Sequence, residues 1–476
     1  MPDVVTKTKK GLQWSAIDRL LTQGIQLVIS LLLARLLGPT VFGLIGMLTV
    51  FIAISNVFID GGFSSALIRK IECTDSDFST AFYYNIIVSA LCYSVLYLCS
   101  PYVAIFYKQP ELATLLRVLG LVVIINSFTL IPKVKLTILM NFKAQAKISI
   151  ISVLISGACA LLVAYHGYGV WALVVQILCN SGCNAILFNL LLPWRPVYKV
   201  TRESFNYLFG FGSKLLLSGL LDVSYNNLYQ IIIGKKFTPD VVGQFTQANQ
   251  LASVPAMTLT NIIQRVTFPL FSQIQNDKVK IEMAYRLTLK LAAVIIFPII
   301  SGIGLIAYPL LIELLGKQWG YAANLLSILC VGYMLYPIHA INLNLLQVTG
   351  RTDLFLKLEI FKKIIGISVL IITIPHGVLV MTVGLSMTSY LSLLLNTYYT
   401  AKLSSLSQWQ QCKDILPIWF AVIFCSVIAY YIGEGWKDIS WLQLLISLSV
   451  ALISYIIYLL VWQRELLLQL YTYLRR

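Results

Sequence analysis

Apolar residues run through this chain in long blocks divided by short polar breaks, and the pattern holds from one end to the other. A helix needs about 20 predominantly apolar residues to cross a bilayer. Blocks of that kind fall near 12–37, 41–60, 81–103, 112–131, 148–165, 168–192, 208–233, 241–264, 287–308, 322–347, 361–375, 377–400, 416–433 and 440–462. Alternating segments of about ten residues, the mark of a membrane barrel, are absent. The pattern predicts an all-α polytopic membrane protein with about 14 transmembrane helices. The eleventh span is short unless it starts near Phe355. The longest polar interruptions, near 132–147, 193–207 and 266–286, leave no room for a separate catalytic head.

The polar positions inside the spans are periodic. In the first span Ser15, Asp18 or Arg19, Thr22, Gln26 and Ser30 share a helix face, and in the seventh Lys214, Ser218, Asp222, Asn226 and Gln230 recur every four residues. The sixth span adds Gln176, Asn180 and Asn184. The eighth adds Gln244, Gln247, Gln250, Asn261, Gln264 and Arg265, and the tenth His339, Asn342 and Gln347. Polar faces at membrane depth must meet each other or water. The set predicts a hydrated, amide-rich lining. Its candidate residues are Asp18, Arg19, Gln26, Gln176, Asn180, Lys214, Asp222, Asn226, Gln230, Gln247, Asn261, Arg265, His339 and Asn342. Amides and hydroxyls suit sugar hydroxyls, and the cations suit phosphate. The plainer account for any single amide is a hydrogen bond between helices, worth about 0.6 kcal/mol. For His339 it is a satisfied core histidine, and for Arg19 a side chain reaching the interface, with Asp18 as its local counter-charge.

Thirteen residues repeat after a shift of 200. Leu31–Gly43 falls on Ile231–Gly243, with Arg35 on Lys235, Pro39 on Pro239, Val41 on Val241 and Gly43 on Gly243. Each block ends one span, turns at a proline and opens the next. Under the same shift Asp18, Thr22, Gln26 and Ser30 meet Ser218, Asp222, Asn226 and Gln230. Six spans per copy is an even number, so the copies are parallel, related by an axis along the membrane normal. The expected organisation is a six-helix lobe over 1–200, a second over 201–402 and two further helices with a cytoplasmic tail over 403–476.

Charge fixes the orientation. With the N-terminus inside, 26 of the 35 Lys and Arg fall on the cytoplasmic side and seven outside, with Arg19 and Lys214 left within the membrane. Both termini are expected in the cytoplasm. The formal net charge of +16 follows from this asymmetry and gives no reason to expect nucleic acid. The chain is 58% hydrophobic and 11% charged, against roughly 25% charged in soluble proteins. The basic N-terminus (Lys7, Lys9, Lys10) runs into the first span without a small-residue cleavage site, as an uncleaved anchor would. The nine cysteines lie mostly inside spans and form no C-x-x-C pair, so no disulfide frame, metal site or cofactor is expected; Cys179 and Cys183 share a face as packing residues.

Three stretches together resemble a known family. They are Gly11–Ala16 with Leu33–Gly38 and Phe42–Leu44; Val254–Met257 with Asn261–Asp277; and Gly316–Trp319. They are similar to the Wzx-type polysaccharide exporters, in the colanic-acid-type branch of the multidrug/oligosaccharidyl-lipid/polysaccharide exporter superfamily. The resemblance covers nearly the whole chain. It implies a two-lobed, V-shaped bundle, not an enzyme, that flips undecaprenyl-diphosphate-linked oligosaccharide across the bacterial inner membrane by alternating access. It implies a lipid-linked oligosaccharide substrate, membrane lipids and other polysaccharide-assembly proteins as partners. It also implies that Arg19 and Arg265 meet the diphosphate, and that spans 13 and 14 form a groove for the polyprenyl tail. A cation-coupled drug or metabolite antiporter of the same superfamily is the competing reading, left open by Asp222. A membrane polymerase or ligase is disfavoured, because no long outer loop exists to carry catalytic residues.

Overall fold

The computed structural model describes residues 2–70, 72–196, 200–275, 277–403 and 406–464, and every regular element among them is helical. Lys199, Arg475 and Arg476, counted in the charge asymmetry, and Asn276 of the family-like stretch lie outside the described residues, as does the C-terminal tail beyond 464.

The chain packs as two compact units, Met1–Thr246 and Gln247–Arg476. The first holds α1 (Pro2–Leu37), α2 (Pro39–Asp60), α3 (Phe63–Arg69), α4 (Asp75–Tyr107), α5 (Glu111–Leu119), α6 (Leu121–Ile138), α7 (Phe142–Tyr165), α8 (Trp171–Leu191), α9 (Arg202–Asn226) and α10 (Leu228–Lys236). Helix α11 (Pro239–Ile274) begins in the first unit and continues into the second. The second unit adds α12 (Lys278–Leu305), α13 (Ala307–Leu315), α14 (Gly320–Tyr333), α15 (Tyr336–Val348), α16 (Thr352–Thr373), α17 (Val378–Leu403), α18 (Gln408–Glu434) and α19 (Ser440–Trp462).

Eleven helical segments among the described residues are long and apolar enough to cross a membrane, and each coincides with an expected span. The other three expected spans are also helical: α9 with α10, α11 and α16. They fall short on composition, because α9 and α11 carry the polar stripes and α16 carries Lys357, Glu359, Lys362 and Lys363. The eleventh span does start early, at Thr352. The seventh is not one helix. It breaks at Asn227, whose side-chain amide donates to the Val223 carbonyl at 2.8 Å and so satisfies an acceptor that the helix end leaves free.

Two of the expected interruptions nearly vanish. Between α6 and α7 only residues 139–141 are non-helical, with Met140 at φ 54. Asn141 then caps α7 by accepting from the Ala144 backbone N–H. Helix α11 ends at Ile274 and α12 starts at Lys278, with Asp277 accepting from the Lys280 N–H at 3.1 Å. These helices run on past the apolar blocks, so the residues at their ends are held on rigid scaffolds.

The two hairpins of the 200-residue repeat meet inside the first unit, and they meet reciprocally. Pro39 and Pro239 each open a helix, where a missing N–H costs nothing. A methyl group on Gly43 would overlap the Pro239 carbonyl oxygen, and one on Gly243 would overlap the Pro39 carbonyl oxygen. Each such methyl would also lie 3.0 Å from the other glycine's backbone nitrogen. Only glycine allows two backbones so close. The neighbouring Gly46 carbonyl accepts from Gln230 Nε2 at 2.7 Å, which fixes α10 against α2.

At the other end of the first unit, Phe63, Ala66, Leu67, Phe78, Ala81, Ile131, Val134 and Leu208 form a buried apolar core of α3, α4, α6 and α9. Phe63 stacks on Tyr84 with ring centroids 4.1 Å apart. Lys70, just past α3, donates to Asp77 Oδ2 at 2.6 Å, and this bond holds its ammonium above the ordinary lysine value. Thr74 and Asp77 complete a reciprocal cap at the start of α4. Helix α3 is therefore tethered on both sides, and its outer face is free to border a cavity.

Candidate functional site

The first unit contains a chamber of about 670 Å³, walled by α1, α2, α3, α6, α7 and α8. Its volume falls within the range of about 300–1,000 Å³ usual for ligand pockets. The α1 stripe supplies Asp18, Thr22 and Gln26. Helix α2 supplies Asn56 and Asp60, α6 supplies Asn126, Thr129, Lys133 and Thr137, and α8 supplies Asn180, Ser181 and Asn184. Phe188, Leu130 and Ile59 add apolar wall between the polar groups.

The polar lining is only partly self-satisfied. Thr22 donates to Asp18 Oδ1 at 3.1 Å, and Asn126 Nδ2 donates to Asn56 Oδ1 at 3.1 Å. Gln145 Nε2 donates to Thr137 Oγ1 at 3.0 Å, and Asn184 Nδ2 to the Asn180 carbonyl at 2.8 Å. An amide offers two donors and two acceptor lone pairs, and a hydroxyl offers both roles. Most of that capacity still points into open space, as a wet cavity or a polar ligand requires.

Of the residues expected from the stripes, the chamber gathers Asp18, Gln26 and Asn180. Arg19 is exposed and outside the lining, and Gln176, one turn from Asn180, is half-buried outside it. On α9, Lys214, Asp222 and Asn226 are exposed. The break at Asn227 parts them from Gln230, which is occupied with the Gly46 carbonyl and Thr246. Several lining residues escaped the sequence reasoning: Asn56 and Asp60, four apart, and Asn126, Thr129, Lys133 and Thr137 at spacings of three and four. The helical period was the available signal. For Lys133 and Thr137 it is masked because the lysines of 132–147 suggest a polar interruption rather than the end of a helix.

The second unit treats its polar residues differently. Gln247 is buried, Asn261 half-buried and Arg265 exposed. Both ring nitrogens of His339 are engaged. The Asn396 amide donates to Nδ1 at 2.9 Å, so the ring proton sits on Nε2 and goes to Ser389 Oγ at 3.0 Å. Ser389 in turn donates to the Gly332 carbonyl. Asn342 is fully buried in a knot of four helices. The Tyr285 hydroxyl lies 2.8 Å from Asn342 Oδ1 and 2.9 Å from Gln411 Oε1, with Thr400 Oγ1 3.0 Å from both. Beside it Arg286 grips Asp414 with two bonds, at 2.6 and 2.8 Å, and Lys290 adds a third at 3.1 Å. His339 and Asn342 are thus interhelical packing groups, the plainer of their two readings. Gln411 and Asp414 tie α18, the first of the two extra helices, to α12.

A chain of stacked spanning helices with a polar chamber among them is a multi-pass membrane protein of transporter architecture. Comparison with known proteins says which. The model of the polysaccharide biosynthesis protein family matches residues 32–324, and the chain belongs to that family. It is 25% identical over 438 residues to the lipopolysaccharide biosynthesis protein WzxC of Escherichia coli (strain K12), covering 90% of this chain and 88% of that one. It is 24% identical over 356 residues to the teichuronic acid biosynthesis protein TuaB of Bacillus subtilis (strain 168), covering 74% of each. With the succinoglycan biosynthesis transport protein ExoT of Rhizobium meliloti (strain 1021) it shares 25% identity over 340 residues, covering 69% of this chain and 67% of that one. Among solved structures, the lipid II flippase MurJ in an inward closed conformation matches with a TM-score of 0.76 at 14% identity, covering 95% of this chain and 99% of that one. An inward-facing multidrug resistance MATE transporter matches at 0.62, covering 82% and 98%. The resemblance to Wzx-type exporters is borne out, and the fold is that of their superfamily.

Proposed function

We propose that this protein flips an undecaprenyl-diphosphate-linked oligosaccharide across the bacterial inner membrane, by alternating access, for the assembly of a surface polysaccharide. The observation that carries the reading is the chamber: about 670 Å³ of amides and hydroxyls held between spanning helices. Sugar hydroxyls need paired donors and acceptors, and the lining offers both. The relatives' names, with polysaccharide biosynthesis and transport in them, point the same way, as does a structural neighbour that flips lipid II. A transporter rather than an enzyme follows from the same relatives.

Both termini lie in the cytoplasm in this reading, by the distribution of Lys and Arg. The chamber then sits toward the cytoplasmic end of the first unit, because Asp60 closes α2 and Lys133 lies in the last turns of α6 on that side. A substrate built in the cytoplasm meets it first. The crossing of Gly43 and Gly243 lies at the opposite, outer end. The parallel six-helix repeats, with a boundary near residue 200, describe how the chain was duplicated, while the compact units describe how it packs. Arg19 and Arg265, both exposed, remain the candidates for diphosphate contact. The lipid anchor and the neighbouring assembly proteins complete the set of partners.

The test is transfer of a fluorescent or radiolabelled lipid-linked oligosaccharide in proteoliposomes. Transfer above that in empty vesicles is expected. No transfer, together with normal surface polysaccharide in a deletion strain, overturns the reading.

A further inference from the structure

The chamber has a sign. Its ionisable lining consists of Asp18, Asp60 and Lys133, two carboxylates against one ammonium. The carboxylates are half-buried, whereas Lys133 is exposed and its charge is largely solvated. Neither Asp18 nor Asp60 is ion-paired among the described side chains, and Asp18 takes a single hydroxyl donor, from Thr22. Three other cations near this end of the unit are committed elsewhere. Lys70 is bound to Asp77, and Lys135 pairs with Asp75 at 3.5 Å over the rings of Phe78 and Trp194. Arg69 lies over the Phe211 ring. None of these three lines the chamber. The space that amides and hydroxyls make hospitable to a sugar is therefore electronegative.

We propose that the chamber selects by sugar charge: it seats neutral or amino-sugar repeat units and turns away those that carry a carboxylate. This rests on the flippase reading and specifies the class of sugar within it. It also separates the two parts of the substrate. The chamber holds glycan, and the diphosphate, which bears like charge, stays outside among exposed cations. A carboxylate held a few ångströms from Asp18 or Asp60, beside low-dielectric helix walls, is disfavoured by about tenfold in affinity.

The test uses the full chain in proteoliposomes with three undecaprenyl-diphosphate trisaccharides of one skeleton. They carry a neutral hexose, a hexuronic acid or a free-amine hexosamine at the same position. The uronate is expected to cross about tenfold more slowly than the neutral sugar, and the amine at least as fast as the neutral. The readout for variants is the uronate-to-neutral ratio. Asp18→Asn combined with Asp60→Asn should bring that ratio to within about twofold of unity, and Lys133→Gln should push it further from unity. Equal transfer of uronate and neutral sugar by the wild type overturns charge selection and leaves flipping intact. A ratio that does not move in either variant overturns the assignment to this chamber. Transfer of none of the three removes the flippase reading and the selection with it.

Discussion

The two compact units hold the same kinds of residue in their spans and use them in opposite ways. In the first, Asp18, Gln26, Asn56, Asn126 and Asn180 stand around a space that they do not fill. In the second, Asn342, Thr400 and Gln411 close on Tyr285 and on one another, and Ser389 and Asn396 take both nitrogens of the His339 ring. The difference is geometric. Helices α12, α15, α17 and α18 approach closely enough for Tyr285 to reach two amides at once. The six helices around the chamber stand too far apart for more than pairwise bonds. A polar stripe that meets another stripe becomes structure, and one that meets a void becomes a site.

The comparison can be broken most forcefully at Asp414. Asp414→Ala leaves Arg286 and Lys290 without their shared acceptor and should lower stability by about 2 kcal/mol; that figure is cut back from the buried-pair range because the Arg286 side chain is 41% exposed. Thermal unfolding in detergent reads this, and an unchanged midpoint would show that the second unit is not held together by its polar contacts. Asn342→Ala strips the knot of its shared acceptor and should cost about 1–3 kcal/mol by the same measurement. Full stability with lost export would instead make Asn342 a ligand.

The first unit should give the reverse pattern. Asn56→Ala with Asn126→Ala removes one interhelical hydrogen bond, worth about 0.6 kcal/mol, while export is expected to fall about tenfold. Normal export of the double variant would demote the chamber. Arg19→Ala and Arg265→Ala should reduce export with no change in unfolding, because both side chains are exposed. The smallest effect belongs to Lys70→Met, about 0.5 kcal/mol for a partly exposed pair. The bonded Lys70 is raised above its ordinary value of 10.5, so its contribution is fully present below pH 10.5 and fades as pH rises beyond it. A gap between wild type and Lys70→Met that was already absent at neutral pH would refute this account.

What the sequence disclosed follows the same division. The α1 stripe was legible because Asp18, Thr22 and Gln26 recur on one helix and need no partner to be seen. Asn126, Thr129, Lys133 and Thr137 were equally periodic, but Lys133, Lys135, Lys143 and Lys147 gave that stretch the composition of a loop. Which of their two readings His339 and Asn342 take was not legible. Their partners sit on helices 50 to 58 residues away in sequence, as with His339 and Ser389, 50 apart, or Asn342 and Thr400, 58 apart. Periodicity says which face is polar, and only packing says what that face meets. The correspondence of Pro39 with Pro239 was readable, yet the reason for Gly43 and Gly243 appears only when the two hairpins cross.

The break at Asn227 bears on how the protein is made. Helix α10 has nine residues and α9 is lined with Lys214, Asp222 and Asn226, so neither is a strong candidate to enter a bilayer unaided. By the time this stretch leaves the ribosome, six apolar spans have already been synthesised, and α2 and the turn after it present Gly46 and Gly62 to it. The glycines thus form a berth for that stretch. A segment too polar to insert for its own sake is received by backbone already in the membrane, and filling that berth would show up as misinserted chain before it showed up as lost transport.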